Sequence, residues 1–142
     1  VLARAATAGV TDILVPAVRP ATWPALEQLI RRAPREGPNL HLALGVHPQV
    51  VPELDDEERA VASDPDRLAE AVSRAGAVAV GECGLDGATT DRPLQEIILR
   101  AHVRAARLVG KPLVVHVLRA HDATPRILAE ESANDVGGVM HS

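Results

Sequence analysis

Four side chains able to bind a metal or move a proton stand at the ends of four apolar runs. Val78-Ala79-Val80-Gly81 leads into Glu82, and Pro112-Leu113-Val114-Val115 leads into His116. Val136-Gly137-Gly138-Val139-Met140 leads into His141, and Leu40-His41-Leu42-Ala43-Leu44-Gly45-Val46 leads into His47-Pro48. Short runs of small and β-branched residues read as strands buried on both faces. An ionisable group at the end of such a strand is costly unless something pairs with it. One strand-end histidine is ordinarily a hydrogen-bonded polar residue; the repetition on successive strands is what points to a metal. Glu82, His116 and His141 together make two imidazoles and a carboxylate, a set suited to a catalytic divalent ion with open positions. Such an ion lowers the pKa of water and polarises a phosphoryl or carbonyl oxygen.

The elements that must position these groups follow in strict alternation. Apolar runs near 12–18, 40–46, 77–83, 112–117 and 136–141 read as strands. Helical spacing appears in Val1 to Ala8, from Thr22 or Trp23 to about Ala33, around Asp55 to Ala62, from Asp64-Pro65 to Gly76, over Arg92 to Val109, and roughly over Asp122 to Ser132. Asp64-Pro65 supplies an N-cap followed by proline at the first helical position, and Gly76 and Gly110 supply stops. In the Arg92 helix, Leu94, Ile97, Ile98, Ala101, Ala105 and Leu108 form the expected buried face, with Glu96, Arg100, Arg104 and Arg107 toward water. Alternating strands and helices imply βαβ units on a parallel sheet. A dinucleotide fold needs a glycine-rich loop after its first strand, and none is present. Polar groups at successive strand ends fit instead an incomplete TIM (β/α)8 barrel of the metal-dependent hydrolase type, supplying about strands 2 to 6. Two-residue alternation puts Val80 and Val78 on the Glu82 side, Val114 with His116 and Val139 with His141. The Asp12 and His141 strands would then be the outer edges.

Composition bounds the rest. The 142 residues read as one partial hydrolase domain, 46% apolar, with one Trp and no Phe or Tyr, so the core must be Leu, Val, Ile and Ala. A net charge of −4, carried with one lysine against fourteen arginines, argues against a broad electropositive face for duplex nucleic acid. It leaves room for a pocket that takes one phosphate or one nucleic-acid end. Cys83 is the only cysteine, which fits a reducing cytoplasm. No run is long and apolar enough for a membrane span. The chain opens on Val1 already inside a helical pattern and stops at Ser142 just after a strand, which reads as the interior of a longer protein.

Ala43-Leu44-Gly45-Val46-His47-Pro48, Val80-Gly81-Glu82-Cys83-Gly84-Leu85-Asp86, Gln95, Val114-Val115-His116 and Gly138-Val139-Met140-His141-Ser142 occur in an order and spacing that resemble the TatD family of metal-dependent hydrolases. The stretch His116 to Leu128 is similar to its YjjV-type branch. The resemblance implies a TIM barrel with two divalent ions (Mg, Mn or Zn) that acts as a phosphodiesterase on DNA ends or single-stranded nucleic acid, without an obligate protein partner. It implies that Glu82 bridges the metals and acts in catalysis, that His116 and His141 ligate the second metal, and that His47 acts near the substrate phosphate. Asp86 would support the loop behind Glu82. The family's opening His-x-His pair and its last-strand Asp have no counterpart in these residues, so weak metal binding and little turnover are expected from them alone. The Arg usual two residues after the fifth-strand His is Leu118 here; Arg119 is one place later and, with His121, is a substrate-binding candidate.

The remaining reactive residues have plainer readings. Cys83 should point away from the barrel interior as an inert thiol. His102 reads as a partly exposed helix residue, His41 as structural, and the acidic run Glu53 to Glu58 as a solvated face. Two other functions compete: hydrolysis of an ester, lactone or aminoacyl-tRNA bond on the same scaffold, and an inactive half-barrel that binds a partner through its open edge.

Overall fold

The structure, a computed structural model, describes residues 1–34 and 36–141, the side chain of His141 excepted. Five strands, β1 (Asp12–Pro16), β2 (Asn39–Leu44), β3 (Ala79–Asp86), β4 (Leu113–Leu118) and β5 (Gly138–His141), form one sheet in chain order, every neighbouring pair parallel. Between them run α1 (Leu2–Thr7), α2 (Trp23–Arg31), α3 (Asp56–Ala62), α4 (Pro65–Ala75), α5 (Arg92–Val109) and α6 (Ala123–Glu130). A parallel sheet that follows the chain without reversing has no switch point, which separates it from the doubly wound folds. It is an incomplete TIM barrel, as the alternation predicts.

Leu42, Leu44, Val80, Cys83, Leu85, Leu113, Val115 and Val117 face the helices and pack there with Trp23, Leu68, Val72, Ile98, Leu99 and Ile127. Ala43, Ala79 and Val114 form a second, small cluster of their own. Val80 therefore does not share the Glu82 side, contrary to simple alternation. The cause is a β-bulge. Gly81 pairs with Val114 and Cys83 with Val115, so Glu82 is an extra residue facing a single step of β4. An inserted residue reverses parity across the bulge and re-aims the side chain it carries. Cys83 lies on the helix side beyond the bulge, fully buried, with burial pushing its thiol pKa well up.

β3 also runs further than its glycines suggest. Gly84 pairs with His116 and Asp86 with Leu118, so the strand passes through Gly84 rather than breaking there. At φ 145°, a Cβ on Gly84 would lie 2.0 Å from the His116 carbonyl oxygen. The glycine is required by close approach of two backbones.

The α5 face differs from the expected stripe. Gln95, Ile98, Leu99, Ala101, His102, Val103, Ala105 and Ala106 are buried, whereas Ile97 and Leu108 are more than half exposed. α5 packs against both β3 and α4, so its buried arc is wider than one apolar stripe and takes in two polar residues. His102, expected to be partly exposed, is wholly buried. Its water-side arginines are not idle either: Arg100 and Arg104 pair with Glu131, and Arg107 with Asp135.

The acidic run is only partly a solvated face. Glu58 is buried at 4% exposure, closes a capping box with Asp55, and accepts from the Arg19 guanidinium and from the Ala21 N–H. The Arg19 contact holds the Glu58 carboxyl down to about 2. One side chain thereby starts α3 and ties it to the segment leaving β1.

Candidate metal centre

β2 ends at Leu44 and the chain leaves the sheet through Gly45, Val46 and His47. His47 is the N-cap of the 3₁₀ segment Pro48–Glu53, and its Nδ1 accepts from the Gln49 N–H at 3.2 Å. An accepting Nδ1 leaves the neutral ring's proton on Nε2. That Nε2 lies 3.1 Å from Glu82 Oε1. Burial holds the His47 imidazole pKa below its usual range, against the opposing pull of the Glu82 carboxylate.

The bulge carries Glu82 to the same point. Its Oε1 is also 3.2 Å from His116 Nδ1, and the two imidazole rings stand 4.5 Å apart, tilted by 58°. His116 sits within β4, where the ladder holds it beside Gly84. One nitrogen of each histidine and one oxygen of Glu82 all lie within 4.8 Å of one another. Glu82 Oε1 and the His116 imidazole, converging in a mostly buried place at strand ends, offer a carboxylate oxygen and a ring nitrogen that fit zinc or another divalent ion. The His47 nitrogen turned toward them carries its ring's proton.

Behind the cluster lies Asp86, almost fully buried, whose Oδ2 accepts from Gln49 Nε2 at 2.9 Å and lies 3.5 Å from His116 Nε2. Its Oδ1 accepts from the Ala88 N–H at 2.8 Å, which closes the turn after β3. Burial works to raise the Asp86 pKa, but the bonds from Gln49 and Ala88 and the nearby His116 outweigh it, so the carboxyl stays below its ordinary range. Gln95 of α5 accepts from the Asp86 N–H at 2.9 Å and donates to the Thr90 carbonyl at 2.9 Å. That clamp fixes the exit of β3 from outside the sheet.

Of the residues expected at the site, the structure brings together Glu82, His116 and His47. His141 takes the β5 position opposite His116 in the ladder, but its side chain, expected as a ligand, lies outside the described residues. Arg119, at φ 49°, and His121 are exposed in the segment between β4 and α6, outside the ligand cluster. His41 pairs with Asp12 at 2.8 Å and belongs to no ligand group among the described residues. Sequence reasoning missed Gln49 and His102. A signal for the second existed: Gln95 and His102 are seven residues apart on one helix, two polar groups in register on a face otherwise built from apolar side chains.

Comparison with known proteins bears on the family and the fold. A family model described as TatD related DNase matches residues 1–142. An uncharacterised metal-dependent hydrolase of Buchnera aphidicola is 32% identical over 106 residues, covering 73% of this chain and 37% of the relative. YcfH of Escherichia coli, also described as an uncharacterised metal-dependent hydrolase, is 35% identical over 108 residues, covering 75% and 38%. The crystal structure of YjjV, a TatD homologue from Escherichia coli, superposes with a TM-score of 0.81 at 30% identity, covering 99% of this chain and 52% of that one. The matched stretches thus amount to between about a third and a half of the relatives' lengths.

Proposed function

This chain belongs to the family of TatD-related DNases, and from that premise we propose that its residues 1–142 form part of one hydrolase domain that cleaves phosphodiester bonds of DNA ends or single strands. The observation that carries the reading is the convergence of His47, Glu82 and His116 within 4.8 Å at the C-terminal ends of parallel strands. In barrels of this kind the chemistry sits on that face.

Glu82 and His116, with His141, would hold a divalent ion, and Glu82 is the group that would be shared with a second one. Of Mg, Mn and Zn, the imidazole donors favour Zn, while Mg or Mn would rely more on the carboxylate and on water. When bound, the ions supply Lewis acidity: they ionise water near neutral pH and polarise the phosphoryl oxygen. The chain's own groups do the positioning. His47 keeps its proton on Nε2, a donor suited to an anionic oxygen of the substrate. Its depressed pKa keeps the ring neutral at physiological pH, so it donates a hydrogen bond without adding a charge that would repel a metal. Asp86 and Gln49 limit the freedom of His116 and of the turn beside Glu82. Arg119 and His121, exposed after β4, would meet further phosphates along a strand. No described helix is long and apolar enough to cross a membrane, and the inert Cys83 thiol accords with a cytoplasmic setting.

The test is a substrate panel in the full chain: single-stranded and blunt duplex DNA, a carboxylic ester, a lactone and an aminoacyl-tRNA, each with Mg²⁺ or Mn²⁺ and then EDTA. EDTA-sensitive release of nucleotides from single strands or ends is the expected result. Turnover confined to the carbonyl substrates would move the assignment to an esterase on the same scaffold. Metal binding with no turnover of any substrate would point to an inactive binding module.

A further inference from the structure

The exit of β2 carries His47, yet β2 and β3 pair only at Ala43–Ala79 and Leu44–Val80. Beyond Leu44 the sheet ladder gives that strand's backbone nothing on the β3 side. Gly45 lies so close to the bulge that a Cβ there would be 2.5 Å from the Gly81 Cα. The three residues from Gly45 to His47 are held instead by groups from two helices and from the segment leaving β1. The Gly45 carbonyl accepts from the Trp23 indole N–H of α2 at 3.1 Å, and the His47 N–H donates to the Val18 carbonyl at 2.9 Å. The Val46 N–H, on a residue with no exposure, donates to His102 Nε2 of α5 at 3.1 Å.

The other nitrogen of that ring fixes its tautomer. His102 Nδ1 lies 2.8 Å from the Ile98 carbonyl, which can only accept, so Nδ1 carries the proton and Nε2 offers its lone pair to Val46. Both ring nitrogens are used, and the ring is wholly enclosed. An apolar residue of the same size would pack equally well there but leave the Val46 N–H with no acceptor. A histidine in the middle of a buried helix face therefore has a directional duty, and its target is the N–H of the residue immediately before His47.

We propose that His102 is a positioning residue that sets the placement of the His47 imidazole opposite Glu82 by accepting from the Val46 N–H; its effect on turnover rests on the reading of His47 as the group that meets the substrate's anionic centre. Losing the bond would release the peptide that aims His47 while leaving Glu82 and His116 on their own strands. A group that meets the anion equally in ground and transition states lowers KM more than it raises kcat. Misplacing it should therefore appear mainly in KM.

The test compares wild type with His102→Gln and His102→Leu in the full chain. Glutamine can accept from Val46 through its carbonyl oxygen and donate to Ile98 through its amide; leucine can do neither. With Mn²⁺ and bis(p-nitrophenyl) phosphate, His102→Leu should raise KM about tenfold with a smaller change in kcat, and His102→Gln should stay close to wild type. Nuclear magnetic resonance supplies the second readout. Wild type should show nitrogen–nitrogen scalar coupling across the Val46–His102 hydrogen bond. In His102→Leu the His47 ring signals should shift or broaden while those of His116 hold. If wild type does not turn over the phosphodiester, the hydrolase reading falls, and the resonance measurements still decide the positioning role. A folded His102→Leu protein with wild-type His47 signals and KM overturns the proposal. Should that variant not fold, absence of the coupling in wild type, or a displaced His47 in a folded His102→Gln protein, overturns it equally.

Discussion

Glu82 Oε1 lies between two imidazole nitrogens, so the Glu82 carboxylate brings its negative charge to the centre of the cluster, with Asp86 behind it. Glu82→Gln keeps the shape and removes that charge. Its expected outcome is loss of nuclease activity by about a thousandfold or more, with Mn²⁺ affinity reduced in calorimetric titration. His116→Ala removes one nitrogen and should weaken Mn²⁺ binding by roughly tenfold or more. Full nuclease activity in Glu82→Gln would end the assignment of Glu82 as the bridging ligand. A different titration governs stability. Burial pushes the His102 pKa down to about 4 from 6.5, with the Ile98 bond opposing. Between those values the unfolded chain binds a proton that the folded chain refuses. The stability this neutral ring permits is therefore complete above about 6.5 and is lost as pH falls toward 4, by about 3 kcal/mol at most. Denaturant unfolding from pH 7 to 4 should show that slope in wild type and a shallower one in His102→Gln. Equal slopes would mean that the ring is not held neutral.

The elements were legible because each is written in local chemistry. Pro65 after Asp64 starts α4, with the Asp64 side chain accepting from the Asp66 and Arg67 N–H groups, and Gly76 ends it in the left-handed conformation. The eighteen residues of α5 were readable to their ends. What could not be read is whatever depends on a neighbouring strand. Alternation assigns faces only while the ladder advances one residue at a time, and the step at Gly81/Cys83 is set by how β3 meets β4. The same held for the site: residue types at strand ends marked Glu82, His116 and His47, whereas Gln49 and His102 act through contacts that long-range packing creates. Gly84 tests this dependence on the neighbour. With its φ of 145° and the His116 oxygen in the way, Gly84→Ala should force β3 and β4 apart, cost roughly 3 kcal/mol and weaken metal binding with it. A thermal melt and a Mn²⁺ titration would show both losses. Unchanged stability would mean that the two strands do not approach as closely as described.

Over the whole molecule the sheet has two sides that no described strand pairs, because β1 contacts only β2 and β5 only β4. Each carries apolar side chains in the open: Leu14 on β1 is 42% exposed, and Val139 and Met140 on β5 are 54% and 57% exposed. An edge with free backbone donors and acceptors beside exposed apolar residues is a template for pairing with another chain. The usual protections are thin, for β5 holds no charged residue or proline, and β1 has one of each only at its ends. These 142 residues expressed alone should therefore self-associate, with sedimentation velocity showing species larger than a monomer that grow with concentration. Lysine at Leu14 and Met140 places charge on both edges and should shift the distribution toward monomer. Neither residue belongs to the ligand cluster, so Mn²⁺ affinity per chain should be preserved in the double variant. Association that persists undiminished in it would locate the contact elsewhere, with the exposed Ile97 and Leu108 on α5 the next surface to charge. A concentration-independent monomer in the unmodified chain would show that the two edges are not sticky, despite the apolar side chains they expose.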